Sequence, residues 1–321
     1  MIDNDHNSQN KKTTLKKLLS GDVALLARAI TLLETGGAKA DNLAYKISAN
    51  AGEALVIGFT GTPGSGKSSL INCLVKLLRD QGEKVAVLAV DPSSPLSGGA
   101  VLGDRTRMGE HTSDRNVFIR SVAARGHLGG LSIAIPSIID VVDAAGWPII
   151  ILETVGTGQS ETEIMELADI KVVVNAPGLG DDIQAIKAGV LEIGDILVVN
   201  KCDQPLSDSL LQQLKSMLEL RSSEKKNIPI IATSATEDIG IQELDKTIKN
   251  ISLNLGNEYK AIRQANRLKG NLWRKTEQLF RYRLKEINSK KIEDILHQLR
   301  NGIISNGDAA EMILNLCVDK E

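Results

Sequence analysis

The chain has 321 residues, 42% of them hydrophobic but only 2% aromatic, so it can bury a sizeable core and that core must be aliphatic. A formal net charge of −2 gives no global reason to expect nucleic acid or an anionic membrane as a partner. Cys73, Cys202 and Cys317 lie far apart and form no paired metal motif. No apolar run approaches the roughly 18 residues of a membrane span, and a reducing, cytoplasmic setting is the expectation.

In chain order, residues 1–12 are polar, lack the apolar segment of a secretory leader, and are expected to form a disordered tail. Residues 13–52 read as an N-terminal helical extension. Val23, Leu26, Ile30 and Leu33 recur at helical spacing, Asp22 is placed to cap, and Gly36-Gly37 stops the helix. Residues 53–252 alternate short β-branched runs with helical stretches. The strands are expected at 54–60, 85–90, 116–120, 149–153, 170–175, 195–200 and 228–232, and the helices at 67–80, 136–145, 206–220 and 240–250. Near-continuous apolar strands imply burial on both faces of a mostly parallel sheet, hence a doubly wound α/β fold with ligands at the carboxyl ends of its strands. Residues 253–321 turn helical again, as a C-terminal arm. Ile262, Ala265, Leu268, Leu272 and Leu279 make one apolar stripe, and Ile292, Ile295, Leu296 and Leu299 another. Between 256 and 300, twelve Lys and Arg outnumber five Asp and Glu. That balance describes a solvated helix face or a partner-binding arm.

The chemistry begins at Gly61-Thr62-Pro63-Gly64-Ser65-Gly66-Lys67-Ser68. This is a phosphate-cradling loop in its strand–loop–helix setting, between the apolar run from Ala54 to Phe59 and the helical pattern that starts near Leu70. Glycines let the backbone fold round a polyphosphate and aim N–H groups inward, and the next helix adds its positive end. Lys67 would reach the outer phosphates, Ser68 would bind Mg²⁺, and Ser69 follows in the same turn. Asn200-Lys201-Cys202-Asp203 after the strand at 195–200 would read guanine. The Asp203 carboxylate accepts from the ring N–H and exocyclic amine, donors that adenine lacks there. Lys201 would lie over the base and Asn200 would brace the loop. The backbone of Thr233-Ser234-Ala235, with Thr236 next, would approach the guanine oxygen, and a helix-capping turn is compatible with that.

Asp91 and Glu153, at the ends of their strands, would face the cradle and act on Mg²⁺ through water, as hard carboxylates do. Gly156 would offer its N–H to the γ-phosphate. The long loop 91–115 carries Asp104, a candidate for the metal shell, and Arg105 and Arg107, candidates to neutralise transition-state charge. Gly178, Asp181 and Asp182 form a second acidic loop, near Lys187. His111 and His127 read as loop donors. No glutamine is clearly placed to orient the attacking water, and Gln159 is a candidate by proximity to Glu153 alone.

These residues resemble the MeaB/ArgK/MMAA GTPases. The likeness rests on Ala27 to Glu34, on the cradle from Gly58 to Ser68, on Asp91-Pro92-Ser93-Ser94-Pro95, and on Gly103 to Met108. It continues through Arg125 to Gly130, Glu153 to Glu161, Gly180 to Gln184 and the Asn200 tetrad. Thr157 and Cys202 stand where many relatives carry valine and alanine. The resemblance implies a P-loop NTPase of the signal-recognition and nickel-insertion GTPase class, with GTP/GDP and Mg²⁺ as ligands. It further implies a chaperone of an adenosylcobalamin-dependent acyl-CoA mutase, with Gly178 to Lys187 as a switch that communicates with it and the C-terminal helices as a homodimer arm. Two other functions share this core. A nickel metallochaperone needs His or Cys clusters, which this sequence lacks, and a kinase linked to amino-acid transport would need to accept adenine.

Overall fold

The computed structural model describes residues 13–92, 111, 113–124, 134–154, 165–178, 194–219, 228–256 and 289–318, with isolated positions between 265 and 287. The chain divides into two units, 1–264 and 265–321.

In the larger unit, residues 13–19 are helical and precede α1 (Val23–Thr35) and α2 (Ala38–Ser48). Asp22 caps α1, its carboxylate accepting from the Leu25 N–H at 2.9 Å. Gly36, at φ 77°, ends it. β1 (Leu55–Thr60), α3 (Lys67–Asp80), β2 (Val85–Pro92), β3 (Val117–Ala124), α4 (Ala134–Ala144) and β4 (Ile149–Thr154) follow. Then come β5 (Ile170–Asn175), β6 (Ile196–Val199), α5 (Ser207–Glu219), β7 (Ile230–Ala232) and α6 (Ile241–Asn254). All seven expected strands are present, in one sheet of order β3-β2-β4-β1-β5-β6-β7. Every pairing in it is parallel.

Strand residues alternate between the two faces. Ile57, Phe59, Val85, Val87, Val172, Val174, Ile196 and Val198 pack against α3 and α6 through Leu70, Ile71, Leu74, Leu244 and Ile248. Val56, Leu88, Ile150 and Leu152 pack on the other side with Ile135, Ile138 and Ile139 of α4 and with Leu26, Ile30, Leu33 and Ile47 of α1 and α2. The helical prefix is thus part of the main core; a buried Leu or Ile side chain contributes about 1.5–3 kcal/mol. Leu210, Leu214 and Leu218 of α5 cover Val173, Leu197 and Val199. Buried aspartates join segments distant in sequence. Asp143 accepts from the Gly52 and Ala54 amides at 2.6 and 3.1 Å, and Asp169 from the Val56 amide at 2.7 Å. These carboxylates satisfy backbone N–H groups that would otherwise lack a partner.

β1 lies between β4 and β5, at the point where the sheet order reverses, so the loop after it opens where open α/β sheets hold their ligands.

In the C-terminal unit, α7 (Ser289–Arg300) packs on α8 (Asn306–Val318). Ile295, Ala309 and Cys317 are buried, while Leu296 of the second expected stripe is 53% exposed. Ser305 caps α8, exchanging bonds with Asp308 at 3.0 and 3.1 Å. From the first stripe, Leu272 and Leu279 are exposed, while Ile262 and Leu268 lie outside the described residues.

Candidate nucleotide site

The loop from Gly61 to Gly66 joins β1 to α3, and its tight path depends on glycine at both ends. A Cβ on Gly61 (φ 142°) would stand 2.0 Å from the Val174 carbonyl oxygen of β5. A Cβ on Gly66 (φ 85°) would stand 2.4 Å from Asn200 Nδ2. Both φ values fall where L side chains are strained. α3 begins at Lys67 with no carboxylate in its first turn, so its positive end is not neutralised from within. The Lys67 ammonium donates to the Gly61 and Thr62 carbonyls at 2.7 and 3.0 Å.

A cleft of about 470 Å³ opens over this loop. It is lined by Pro63, Gly64, Gly66, Lys67, Ser68 and Ser69 from the loop and helix, Ala89 and Asp91 from β2, Glu153 and Thr154 from β4, and Lys201. Ser68 donates its hydroxyl proton to Glu153 Oε1 at 2.6 Å. Asp91 and Glu153 are 6% and 5% exposed, so two carboxylates and a hydroxyl line a largely dehydrated part of a cleft that Lys67 and Lys201 also line. A hydroxyl that spends its proton on Glu153 keeps two lone pairs. This hard-oxygen set suits Mg²⁺, which takes few direct protein ligands and keeps several waters. Asp91 and Glu153 are not the last strand residues: β2 runs to Pro92 and β4 to Thr154, so ladder bonds fix both positions.

Asn200 joins the cradle to the expected base-reading loops. It is 1% exposed. Its Nδ2 donates to the Ser65 carbonyl at 2.8 Å, and its Oδ1 accepts from Thr233 Oγ1 at 3.1 Å. Its backbone N–H donates to the Asn175 carbonyl at 2.7 Å. The Cys202 amide donates to the Thr233 carbonyl at 2.9 Å, which joins the tetrad to the loop after β7. Lys201 holds φ 58°, a conformation costly for a non-glycine residue and held here by bonds on either side. Asp203 is exposed beside it. Burial, and then the Asp203 charge, push the Cys202 thiol up from its ordinary value.

In the loop after β7, Ser234 and Ile239 exchange both backbone bonds at 3.0 Å. Ser234 Oγ pairs with Thr236 Oγ1 at 3.0 Å. Thr233 braces Asn200. A link without a sequence signal also appears: the Cys73 thiol of α3 donates to the Ala235 carbonyl at 3.3 Å.

Gly178, at φ 85°, follows β5. Asp104, Arg105, Arg107, His127, Gly156, Gln159, Asp181, Asp182 and Lys187 lie outside the described residues. His111 is described and half-buried in the turn before β3.

A parallel sheet with a phosphate-type loop after its central strand, and an Asn-Lys-x-Asp loop docked against it, defines a P-loop GTPase. Comparison with known proteins narrows the class. The family model described as methylmalonyl-CoA mutase-associated GTPase MeaB matches residues 26–289, and the chain belongs to that family. It is accordingly a guanine-nucleotide-binding hydrolase. A Pyrococcus horikoshii protein is 40% identical over 317 residues, which cover 95% of this chain and 98% of that one. The GTPase ArgK of Escherichia coli is 38% identical over 240 residues, 72% of each chain. A mouse protein named methylmalonic aciduria type A homolog, mitochondrial, is 34% identical over 92% of this chain and 77% of its own. Among solved structures, one titled LAO/AO transport system kinase superposes with a TM-score of 0.70 at 25% identity, covering 95% of this chain and 96% of that one. Among the described residues, no helix is long and apolar enough to cross a membrane.

Proposed function

We propose that this cleft binds GTP with Mg²⁺ and that its hydrolysis serves a chaperone of an adenosylcobalamin-dependent acyl-CoA mutase of the methylmalonyl-CoA mutase type. In that role it gates cofactor loading and protects the mutase. The observation that carries the nucleotide reading is the Asn200 brace, which ties the cradle at Ser65 to the Thr233 loop at hydrogen-bond distance on both sides. The mutase comes from the family's description.

In this reading the loop amides and the start of α3 receive the phosphates, and Lys67 exchanges a loop carbonyl for a phosphoryl oxygen. Ser68 would hold Mg²⁺ through a hydroxyl lone pair, Asp91 and Glu153 would accept from waters around it, and the ion would supply neutralisation of the charge on the phosphoryl group. Lys201 covers the base, and Asp203 accepts from its two guanine-specific donors. Asp104 extends the metal shell, Arg107 stabilises the transition state and Gly156 holds the γ-phosphate. Gly178, Asp181, Asp182 and Lys187 form the switch that reports to the mutase. Residues 253–321 join two copies into a homodimer, in the cytoplasm.

No covalent nucleophile is required. The protein positions water and phosphate and supplies charge, so groups ordered by the partner would raise a slow intrinsic rate. Adding a methylmalonyl-CoA mutase should speed GTP hydrolysis several-fold. An unchanged rate with a mutase demonstrably bound contradicts the proposal.

A further inference from the structure

The Ala27 to Glu34 segment carries family likeness but lines no part of the nucleotide cleft. In the structure its last turn reaches β3. Arg120 of β3 donates through Nη2 to Glu34 Oε2 at 3.2 Å and to Thr31 Oγ1 at 3.0 Å. The other Glu34 oxygen, Oε1, accepts from the Ala123 backbone N–H at 3.4 Å. The pair is mostly shielded from water, with side chains 23% and 16% exposed for Arg120 and Glu34, so solvent weakens it less than a surface pair. One carboxylate therefore holds two points, three residues apart, on the outermost strand of the sheet.

Those points matter because of register. Ala123 stands opposite Asp91 and Ala124 opposite Pro92. On the other flank of β2, the pairing with β4 in the described residues runs to Val90 opposite Thr154. The end of β2 that carries Asp91 is thus laddered to the end of β3, and the outer side of β3 is gripped by Glu34. α1 itself is anchored, with Leu26, Ile30 and Leu33 in the core shared with α4.

We infer that Glu34 is a positioning residue for the metal side of the nucleotide site, acting through Arg120, the end of β3 and Asp91. The N-terminal helices then set how tightly the site engages Mg²⁺. The inference rests on the reading of Asp91 as part of the Mg²⁺ shell. Loss of the Glu34 grip frees the end of β3 and lets Asp91 drift, which weakens the metal and leaves the base-reading loops untouched.

The test follows release of a fluorescent GDP from the full-length protein as Mg²⁺ is titrated. Variants are Glu34→Ala, Glu34→Gln and, as comparator, Asp91→Asn. Glu34→Ala should raise the Mg²⁺ concentration for half-maximal retention by about fivefold or more, a typical coupling between linked sites. Its release rate without Mg²⁺ should match wild type. Glu34→Gln keeps an acceptor for the Ala123 amide but loses the negative charge that faces Arg120, so it should shift the midpoint less and serves if the alanine variant does not fold. A lowered melting temperature with an unmoved Mg²⁺ midpoint in both Glu34 variants, while Asp91→Asn moves it, overturns the inference alone. An unmoved midpoint in Asp91→Asn removes the reading of Asp91 and the inference with it.

Discussion

Asn200 shows how much one residue type can fix. Asparagine offers a donor and an acceptor on one short side chain, and here the donor takes the Ser65 carbonyl while the acceptor takes the Thr233 hydroxyl. Replacing it with alanine leaves both partners buried and unsatisfied, at about 1–3 kcal/mol each. Asn200→Ala should therefore lower the midpoint of chemical denaturation and weaken GTP binding together. Lys67→Ala removes a charge at the phosphates and should reduce hydrolysis by on the order of a hundredfold or more under saturating GTP. Cys202 supplies a different readout. Its thiol is raised first by burial and then by Asp203, so less thiolate exists at a given pH. Alkylation at pH 8 should be slower than for an exposed thiol, and Asp203→Asn should quicken it. The placing of Lys67 at the start of α3 and of Asn200 after β6 was legible because the tetrad and the loop are local in sequence. The Cys73 bond to Ala235 and the Glu34 grip on Arg120 were not, since each joins residues that only the folded sheet brings together.

Among the elements, the strands were legible from β-branched runs, and their ends were less so. β3 was expected over 116–120 but extends to Ala124. Arg120 to Ala124 has little strand character of its own; it is drawn into the sheet by Leu88 to Pro92 of β2 and by Glu34 from outside. α4 was expected from Pro136 yet is helical from Ala134, because proline fits a first helical turn, where its missing N–H costs nothing. β3 is also steadied at its start. Arg79, in the last turn of α3, donates through Nε to Asp114 Oδ2 at 2.7 Å, and that bond holds the Asp114 carboxyl below its ordinary 3.8. A group whose folded pKa is depressed adds stability above its unfolded value and loses it as pH falls through the folded one. The melting temperature of wild type should thus exceed that of Asp114→Asn at pH 7, and the two should converge below pH 3.8. A gap that persists in acid would mean packing, not charge, is the source.

For the whole molecule, strand order does most to place the site. β1 lies between β4 and β5, so its loop meets Glu153 of β4, and Asp91 reaches it from β2 just beyond. On the opposite side, β6 delivers Asn200 to the back of the same loop. The parallel, doubly wound class was legible from alternation alone, and the sheet order was not, because nothing local says which strand is central. The C-terminal unit was legible only as helical: Leu272, Trp273, Leu279 and Tyr282 are exposed there, and periodicity does not say what meets them. If Lys67, Asn200 and Asp203 serve one guanine-nucleotide pocket, calorimetric titration of wild type and Asp203→Asn with GTP and with ATP, both with Mg²⁺, should show it. Wild type should prefer GTP by roughly 10⁴-fold, and Asp203→Asn should lose most of that preference. Equal affinity of wild type for both nucleotides, or a preference for GTP that survives in Asp203→Asn, would contradict it.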